Sequence, residues 1–199
     1  MVASGRGSGP YAYALTAQGR AVITSSSRTH RSGVVGPVWH QLEIADFRVR
    51  LQKAVEAAGG ALIEWRGEPL LRSLLVGRSG WLVPDALVHW RLISAEGTLL
   101  LEWDRGSETL AILTMKLARY ENYWRARGHR ELLPGLGLRP RLAIVVRSRE
   151  RAARLIQWIA RRLHKLSTIL VGVAEGVLGD PLGAIWWRSD TGHAGALVA

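Results

Sequence analysis

The chain has no cysteine and no long apolar run, and each of these absences excludes a class of protein. Without cysteine, disulfides and thiolate metal sites are excluded, and a reducing compartment, the cytoplasm, is the expected location. No apolar run follows a basic start at the N-terminus, so no signal peptide is predicted. The longest late apolar stretch, 168–178, is broken by Glu175 and is too short to span a bilayer. We therefore expect no membrane association.

Acidic residues are scarce relative to basic ones. The chain holds 16 Asp and Glu against 27 Lys and Arg, which gives a net charge of +11. A balance of this kind favours polyanionic partners, and DNA above all. The alternative is a basic surface without a polyanionic partner, since the excess of arginine over lysine is also what codon bias in a GC-rich genome produces.

The hydrophobic content of 48% in 199 residues, with 9 tryptophans, is sufficient for one sizeable core. Residues 1–38 carry four arginines and no acidic residue among many glycines and serines, which predicts a basic arm. Within this arm, residues 11–24 contain a short alternating strand that runs into the helix-capping Thr16. We expect an α/β domain over 39–188 and a flexible tail over 189–199.

Hydrophobic periodicity predicts the order α-β-β-β-α-β-α-β for this domain. Meandering strands followed by a strand–helix–strand crossover predict a mixed central sheet flanked by helices. The predicted helices begin at Trp39, after Gly106 and at Arg149, and they end before Gly59, at Gly128 and near His164. The predicted strands are 61–65, 82–92, 98–104, 141–146, 168–174 and an edge strand at 184–188, with a loop over 66–80.

Three carboxylates are expected to share one patch of the sheet. Glu102 and Asp104 are two apart on one strand and therefore point to the same face, and Asp85 joins them if its strand pairs with theirs. Clustered carboxylates suit a hard divalent cation such as Mg²⁺, with Mn²⁺ as a substitute, and a metal held there can activate water against a phosphodiester. The alternative is that these acids are strand-end residues paired with arginines.

Two further elements offer side chains to this patch. On the helix after Gly106, Lys116 and Tyr120 are four residues apart, so Lys116 is placed to meet phosphate oxygens near the metal. The first helix offers Glu43 as a supporting acid. The alternatives are a lysine that extends to solvent beside a half-buried tyrosine, and a solvated helix face around Glu43.

The third predicted helix and its flanks are dense in cations and contain a single acid, Glu150. Such a helix can lie along a duplex and contact its phosphates, although a solvated basic face is the alternative. The candidate DNA-binding residues are Arg147, Arg149, Arg151, Arg154, Arg161, Arg162 and Lys165.

Several stretches together resemble the replication-relaxation family of bacterial plasmids and mobile elements. They are Tyr13-Ala-Leu-Thr-Ala-Gln-Gly-Arg20, Trp39-His40, Pro84-Asp85-Ala86, Leu101-Glu-Trp-Asp-Arg-Gly-Ser-Glu108 and Lys116-Leu-Ala-Arg-Tyr-Glu-Asn-Tyr123. The resemblance covers about 11–188 and implies a winged-helix DNA-binding module followed by a domain tied to plasmid replication, relaxation or transfer. Residues 11–24 look like the final hairpin of a winged helix, without the three helices that should precede it.

The core is also similar, more distantly, to the PD-(D/E)XK nuclease superfamily. In that resemblance Asp85 matches the first acid and Glu102 the second, while Asp104 stands where the superfamily usually has lysine. Lys116 would then supply the missing charge from the helix, with Tyr120 one turn further on. The resemblance implies a Mg²⁺-dependent phosphodiesterase centre.

Three functions follow from these patterns. The first is a Mg²⁺-dependent DNA nickase or endonuclease built on Asp85, Glu102 and Asp104, with Lys116, Tyr120 and Glu43 in support. The second is a non-catalytic DNA-binding accessory of plasmid replication or mobilisation. The third is a protein-interaction module of such a complex, and a homodimer is left open.

Overall fold

The computed structural model describes residues 38–75, 82–106, 108–132, 139–162 and 168–197. The chain divides into two compact units, Met1–Leu42 and Glu43–Ala199, and only the opening residues of one helix are described in the first unit. The predicted basic arm, with its winged-helix remnant at 11–24, therefore lies outside the described residues except for Val38.

Helices and strands alternate along the described part of the chain, which contains six helices and seven strands. The helices are α1 (Val38–Ala57), α2 (Glu68–Leu75), α3 (Leu110–Arg125), α4 (His129–Leu132), α5 (Arg149–Arg162) and α6 (Ala174–Gly179). The strands are β1 (Ala61–Gly67), β2 (Ala86–Arg91), β3 (Glu96–Asp104), β4 (Arg141–Val146), β5 (Ile169–Val173), β6 (Trp186–Arg188) and β7 (Ala194–Gly195).

The described strands form one mixed sheet in the order β1-β2-β3-β4-β5-β6-β7. β3, β4 and β5 run parallel to one another, and the remaining neighbours are antiparallel. The β2–β3 hairpin places Gly97 opposite Trp90, and a Cβ on Gly97 would lie 2.3 Å from the tryptophan ring. The predicted mixed α/β sheet flanked by helices is confirmed.

The two faces of the sheet bury two separate cores because side chains alternate along each strand. On β3, Leu99, Leu101 and Trp103 pack with Phe47 of α1 on one face. The intervening Leu100 packs on the opposite face, against apolar side chains of α2, α3 and α5. The even-numbered residues of β3, among them its two acids, therefore face α3 and α5.

Besides the four-residue α4, two short helices were not predicted from the sequence. The loop expected over 66–80 contains the end of β1 and the eight residues of α2, whose Leu71 and Leu75 are buried. α6 follows β5 directly and buries Val177. Both helices are too short for their hydrophobic period to stand out, and their packing against the sheet stabilises them.

The C-terminal segment differs from the predicted flexible tail. β7 pairs with β6, so β6 is not an edge strand within the described sheet. Leu197 is fully buried, and its backbone N–H donates to the Leu182 carbonyl at 3.1 Å. These contacts with β6 and Leu182, together with the burial of Leu197, favour attachment of the segment to the sheet.

The end of α3 depends on Gly128 for a reason other than the one expected. The residue with a left-handed backbone is Arg127, with φ of 58°, whereas Gly128 lies against the ring of Tyr123. A Cβ at position 128 would be 2.2 Å from that ring. Glycine is thus required there by close packing, and Arg127 provides the left-handed residue that commonly ends a helix.

None of the described helices combines the length and apolar character needed to cross a bilayer.

Candidate acidic centre and basic helix

Glu102 is the centre of a hydrogen-bonded group on the α3 face of the sheet. It lies in the middle of the sheet on β3 and is 5% exposed. Tyr120, one turn after Lys116 on α3, donates its hydroxyl to Glu102 Oε1 at 2.6 Å. Lys116 Nζ donates to Glu102 Oε2 at 3.3 Å. The predicted spacing of Lys116 and Tyr120 therefore places both side chains on the same carboxylate.

The pKa of Glu102 is raised to about 7, chiefly by burial and also by the negative charge of Asp85. Lys116 and the Tyr120 hydroxyl partly oppose the rise. The pKa of Tyr120 is also well above its ordinary value because the hydroxyl is buried beside Glu102. At neutral pH the tyrosine is thus a neutral hydrogen-bond donor, while Glu102 is poised between its two protonation states.

Lys116 is shared between two acids. Its Nζ lies 3.0 Å from Glu108 Oε1 and 3.3 Å from Glu102 Oε2. Burial would lower the pKa of Lys116, but the charges and hydrogen bonds of Glu102 and Glu108 outweigh it and raise the pKa. The lysine therefore stays charged, and Glu108, which was not among the predicted site residues, competes with Glu102 for it.

Asp85, the residue just before β2, joins this group. Its backbone N–H donates to the Leu101 carbonyl at 2.9 Å, which continues the β2–β3 register by one residue and places Asp85 beside Glu102. One carboxylate oxygen, Oδ2, accepts from the backbone N–H of Trp103 at 2.7 Å. The predicted pairing of Asp85 with Glu102 across two strands is found in the structure.

Asp104 faces the same side but has other partners. Its Oδ2 pairs with Arg151 Nε of α5, and its Oδ1 accepts from the Gly106 backbone N–H at 2.8 Å. The Asp104 side chain is 3% exposed. Its charge is balanced by arginine, as in the alternative interpretation of these acids, because α5 packs over the end of β3.

Glu43 lies on the opposite face of the sheet. Trp103 Nε1 donates to Glu43 Oε2 at 2.8 Å, and Arg105 pairs with the same oxygen at 3.2 Å. Since Trp103 alternates with Glu102 along β3, the helix that carries Glu43 packs behind the acidic group. These contacts give Glu43 a role in attaching α1 to β3.

Within the described ranges, no group of three or more histidine, aspartate or glutamate side chains is arranged to hold a metal ion. The oxygens of Asp104 are occupied by Arg151 and Gly106, which leaves Asp85 and Glu102 as the two acids that face each other. Mg²⁺ is often held by one or two carboxylates together with water and substrate phosphate.

Both Glu102 oxygens accept from Tyr120 and Lys116, and one Asp85 oxygen accepts from the Trp103 N–H. A cation held by these two acids would have to share or displace those donors, and the predicted trio does not form.

The candidate DNA-binding arginines fall into two groups. Arg151 points inward, whereas Arg147, Arg149, Arg154 and Arg161 are exposed. The side chain of Arg162 and the whole of Lys165 lie outside the described residues. None of the four exposed arginines makes a salt bridge to another described residue, while Arg50, Arg72 and Arg125 elsewhere on helices pair with acids four residues away.

Sequence reasoning missed Glu108 and the internal role of Arg151. Glu108 precedes the helix cap Thr109, a position where an acid is ordinarily explained by the helix dipole. Arg151 is one of many arginines in α5, and the sequence does not separate it from the exposed Arg154, since both precede a residue of the buried stripe, Ala152 and Leu155.

The fold and these contacts define a mixed α/β protein with a buried acidic centre beside a lysine and an arginine-rich helix. A family model described as replication-relaxation matches residues 2–136. The chain belongs to the replication-relaxation family, as the motifs indicated, although the match ends before β4 and does not extend to 188. Comparison with curated proteins and with solved structures gives no match.

Proposed function

We propose that the protein associates with DNA through the exposed face of α5 and serves the replication or relaxation of plasmid or mobile-element DNA. The observation that carries the proposal is the row formed by Arg147, Arg154 and Arg161. These arginines are exposed, and no salt bridge to a described acid neutralises them. An exposed arginine that forms no salt bridge can contact a phosphate oxygen, and the interaction of Arg154 with the charge of Glu150 does not close into an ion pair.

The spacing of this row suits a duplex backbone. Arg154 and Arg161 are seven residues apart and hence lie on one side of the helix, about 10.5 Å apart along its axis. That distance is about the axial rise of three phosphates on one DNA strand. Arg147 comes seven residues before Arg154, just ahead of the helix. Membership of the replication-relaxation family and the net charge of +11 support DNA as the polyanion.

The test is the salt dependence of binding to a labelled duplex, measured by fluorescence anisotropy. The variant Arg147→Gln/Arg154→Gln/Arg161→Gln should bind more weakly, and the slope of log K against log salt should fall by about 2–3, close to 0.9 per lost phosphate contact. The expected loss is independent of DNA sequence, since phosphates carry no base information.

A charge-matched control distinguishes this surface from net charge alone. Arg50→Gln/Arg72→Gln/Arg125→Gln removes the same three charges from arginines that are already paired with acids. We expect its salt slope to stay near that of the wild type. Equal losses in the two triple variants would contradict a DNA-binding role for α5.

We propose, as a second candidate function, a Mg²⁺-dependent DNA nickase or endonuclease centred on Asp85 and Glu102. The observation that favours it is the facing pair of acids, whose mutual repulsion contributes to the raised pKa of Glu102. A divalent cation would supply water activation and charge neutralisation when bound there. In this proposal Lys116 would contact a phosphate oxygen, and Tyr120, which donates to Glu102, would hold its carboxylate in place.

Supercoiled plasmid tests this candidate directly. With Mg²⁺ or Mn²⁺ titrated in, we expect wild type to convert it to nicked or linear DNA and Asp85→Ala to lose the conversion. Glu56→Gln is the control, because Glu56 is an exposed acid of α1 that bonds only Gln52 among the described residues. Salt-sensitive DNA binding without cleavage in any of the proteins would reject the nuclease and leave the DNA-binding proposal standing.

A further inference from the structure

Arg151 differs from the other arginines of α5 in what it contacts. Its Nε pairs with Asp104, and its Nη2 donates to the backbone carbonyl of Glu108 at 2.6 Å. The side chain is 20% exposed. The guanidinium contacts these two groups through two different nitrogens, Nε and Nη2, whereas a lysine has a single side-chain nitrogen.

These two contacts bracket the connection between β3 and α3. Asp104 ends β3, and Glu108 lies just ahead of α3, so Arg151 ties both ends of the connection to α5. The Asp104 carboxylate also holds the Gly106 backbone N–H at 2.8 Å. Asp104 thus contacts Gly106 at the start of the connection while it pairs with Arg151.

Glu108, whose backbone carbonyl accepts from Arg151, is also the second partner of Lys116 through its side chain. Glu108 Oε1 lies 3.0 Å from Lys116 Nζ, which is nearer than Glu102 Oε2 at 3.3 Å. If Glu108 moved away, the lysine would have a single acid left among the described residues, Glu102.

We propose that Arg151 is a positioning residue that holds Glu108 on Lys116 and so sets how Lys116 is shared between Glu108 and Glu102. This inference deepens the proposed function and rests on it for its biological meaning, because it connects the helix proposed to contact DNA with the acidic centre. Any ligand that shifts α5 would change the contacts of Lys116, and the coupling would act equally in the reverse direction.

The small number of lysines makes the inference directly measurable. The chain has three, Lys53, Lys116 and Lys165, so selective ¹³C,¹⁵N-lysine labelling gives an NMR spectrum with few side-chain signals. Lys116→Arg identifies the Lys116 signal. We expect Arg151→Lys to shift that signal towards its position in Glu108→Gln, since both variants lose the Glu108–Lys116 contact.

Arg154→Lys is the matched control, because it adds one lysine to the same helix at an exposed position. It should leave the Lys116 signal in place. A Lys116 signal that does not move in Arg151→Lys would overturn the proposal.

A second variant covers the case in which Arg151→Lys does not fold. Asp104→Asn/Arg151→Met removes both buried charges and avoids an unpaired carboxylate, and the same shift of the Lys116 signal is expected. The spectra are recorded without DNA or metal. If the wild-type protein neither bound DNA nor cleaved plasmid, the proposed function would be rejected, but the shift of the Lys116 signal would be unaffected. A Lys116 signal that did not move would likewise leave the proposed function untouched.

Discussion

Glu102 is a carboxyl group that the fold holds almost entirely out of water beside another acid. The chain tolerates it because Tyr120 and Lys116 each donate a hydrogen bond to one of its oxygens. Burial and the charge of Asp85 still prevail, and the pKa rises to about 7. A carboxyl group of this kind can change its charge near neutral pH, which is a property expected of a functional site.

This raised pKa makes stability depend on pH. Its contribution is fully present below the ordinary pKa of 4.5 and is lost as pH rises to about 7. Glu102→Gln imitates the protonated form, so it should be more stable than wild type at pH 8 by up to about 3 kcal/mol, at about 1.4 kcal/mol per pKa unit. The difference should shrink towards zero near pH 4.5. Urea denaturation of both proteins across this range measures it.

Glu56→Gln serves as the control for this experiment, because it removes an acidic side chain that is exposed on α1. Its stability difference from wild type should stay small throughout the pH range. A Glu102→Gln variant that is less stable than wild type at pH 8 would show that Glu102 is held as a paired carboxylate.

At the scale of elements, the C-terminal hairpin of β6 and β7 is part of the core. Trp186 of β6 is fully buried, and its Nε1 donates to the Pro181 carbonyl at 2.9 Å. Leu197 follows β7 and belongs to the apolar cluster on the same face as α1. The segment is attached by side-chain burial and strand pairing together, so it should unfold with the rest of the sheet.

Leu197→Ala tests this attachment. Deleting a fully buried leucine side chain should destabilise the protein by about 2–4 kcal/mol, from lost apolar burial and the cavity that remains. Ile93→Ala is the control, since Ile93 is 89% exposed and should change the free energy of unfolding by less than about 0.5 kcal/mol. Chemical denaturation measures both, and equal small effects would mean that the tail is detached in solution.

At the scale of the whole molecule, charge is divided between paired and unpaired groups. Three arginines of the described helices, Arg50, Arg72 and Arg125, are paired with acids in the same helix, whereas Arg154 and Arg161 on the exposed face of α5 form no salt bridge to a described acid. The acidic centre and Lys116 lie within the segment that matches the replication-relaxation family, 2–136, and α5 follows that segment. The Arg147→Gln/Arg154→Gln/Arg161→Gln variant therefore examines the part that follows the matched segment, and the Asp85→Ala plasmid assay examines a residue within it.

The sequence by itself determined everything that depends on spacing within one element. Strand alternation placed Glu102 and Asp104 on one face, and helical spacing placed Lys116 and Tyr120 together, as the structure confirms. The strand 141–146 is found with its predicted bounds. These predictions hold because backbone geometry fixes where each side chain points relative to its own element.

Only the tertiary structure decided which elements face one another. In that structure Asp104 pairs with Arg151, and Glu43 lies on the face of the sheet opposite Glu102. The tertiary structure also brought Glu108 to Lys116 and folded α2 and the C-terminal residues onto the core. Such contacts join residues far apart in the chain, and they form only when the order of the strands and the packing of the helices bring the side chains together.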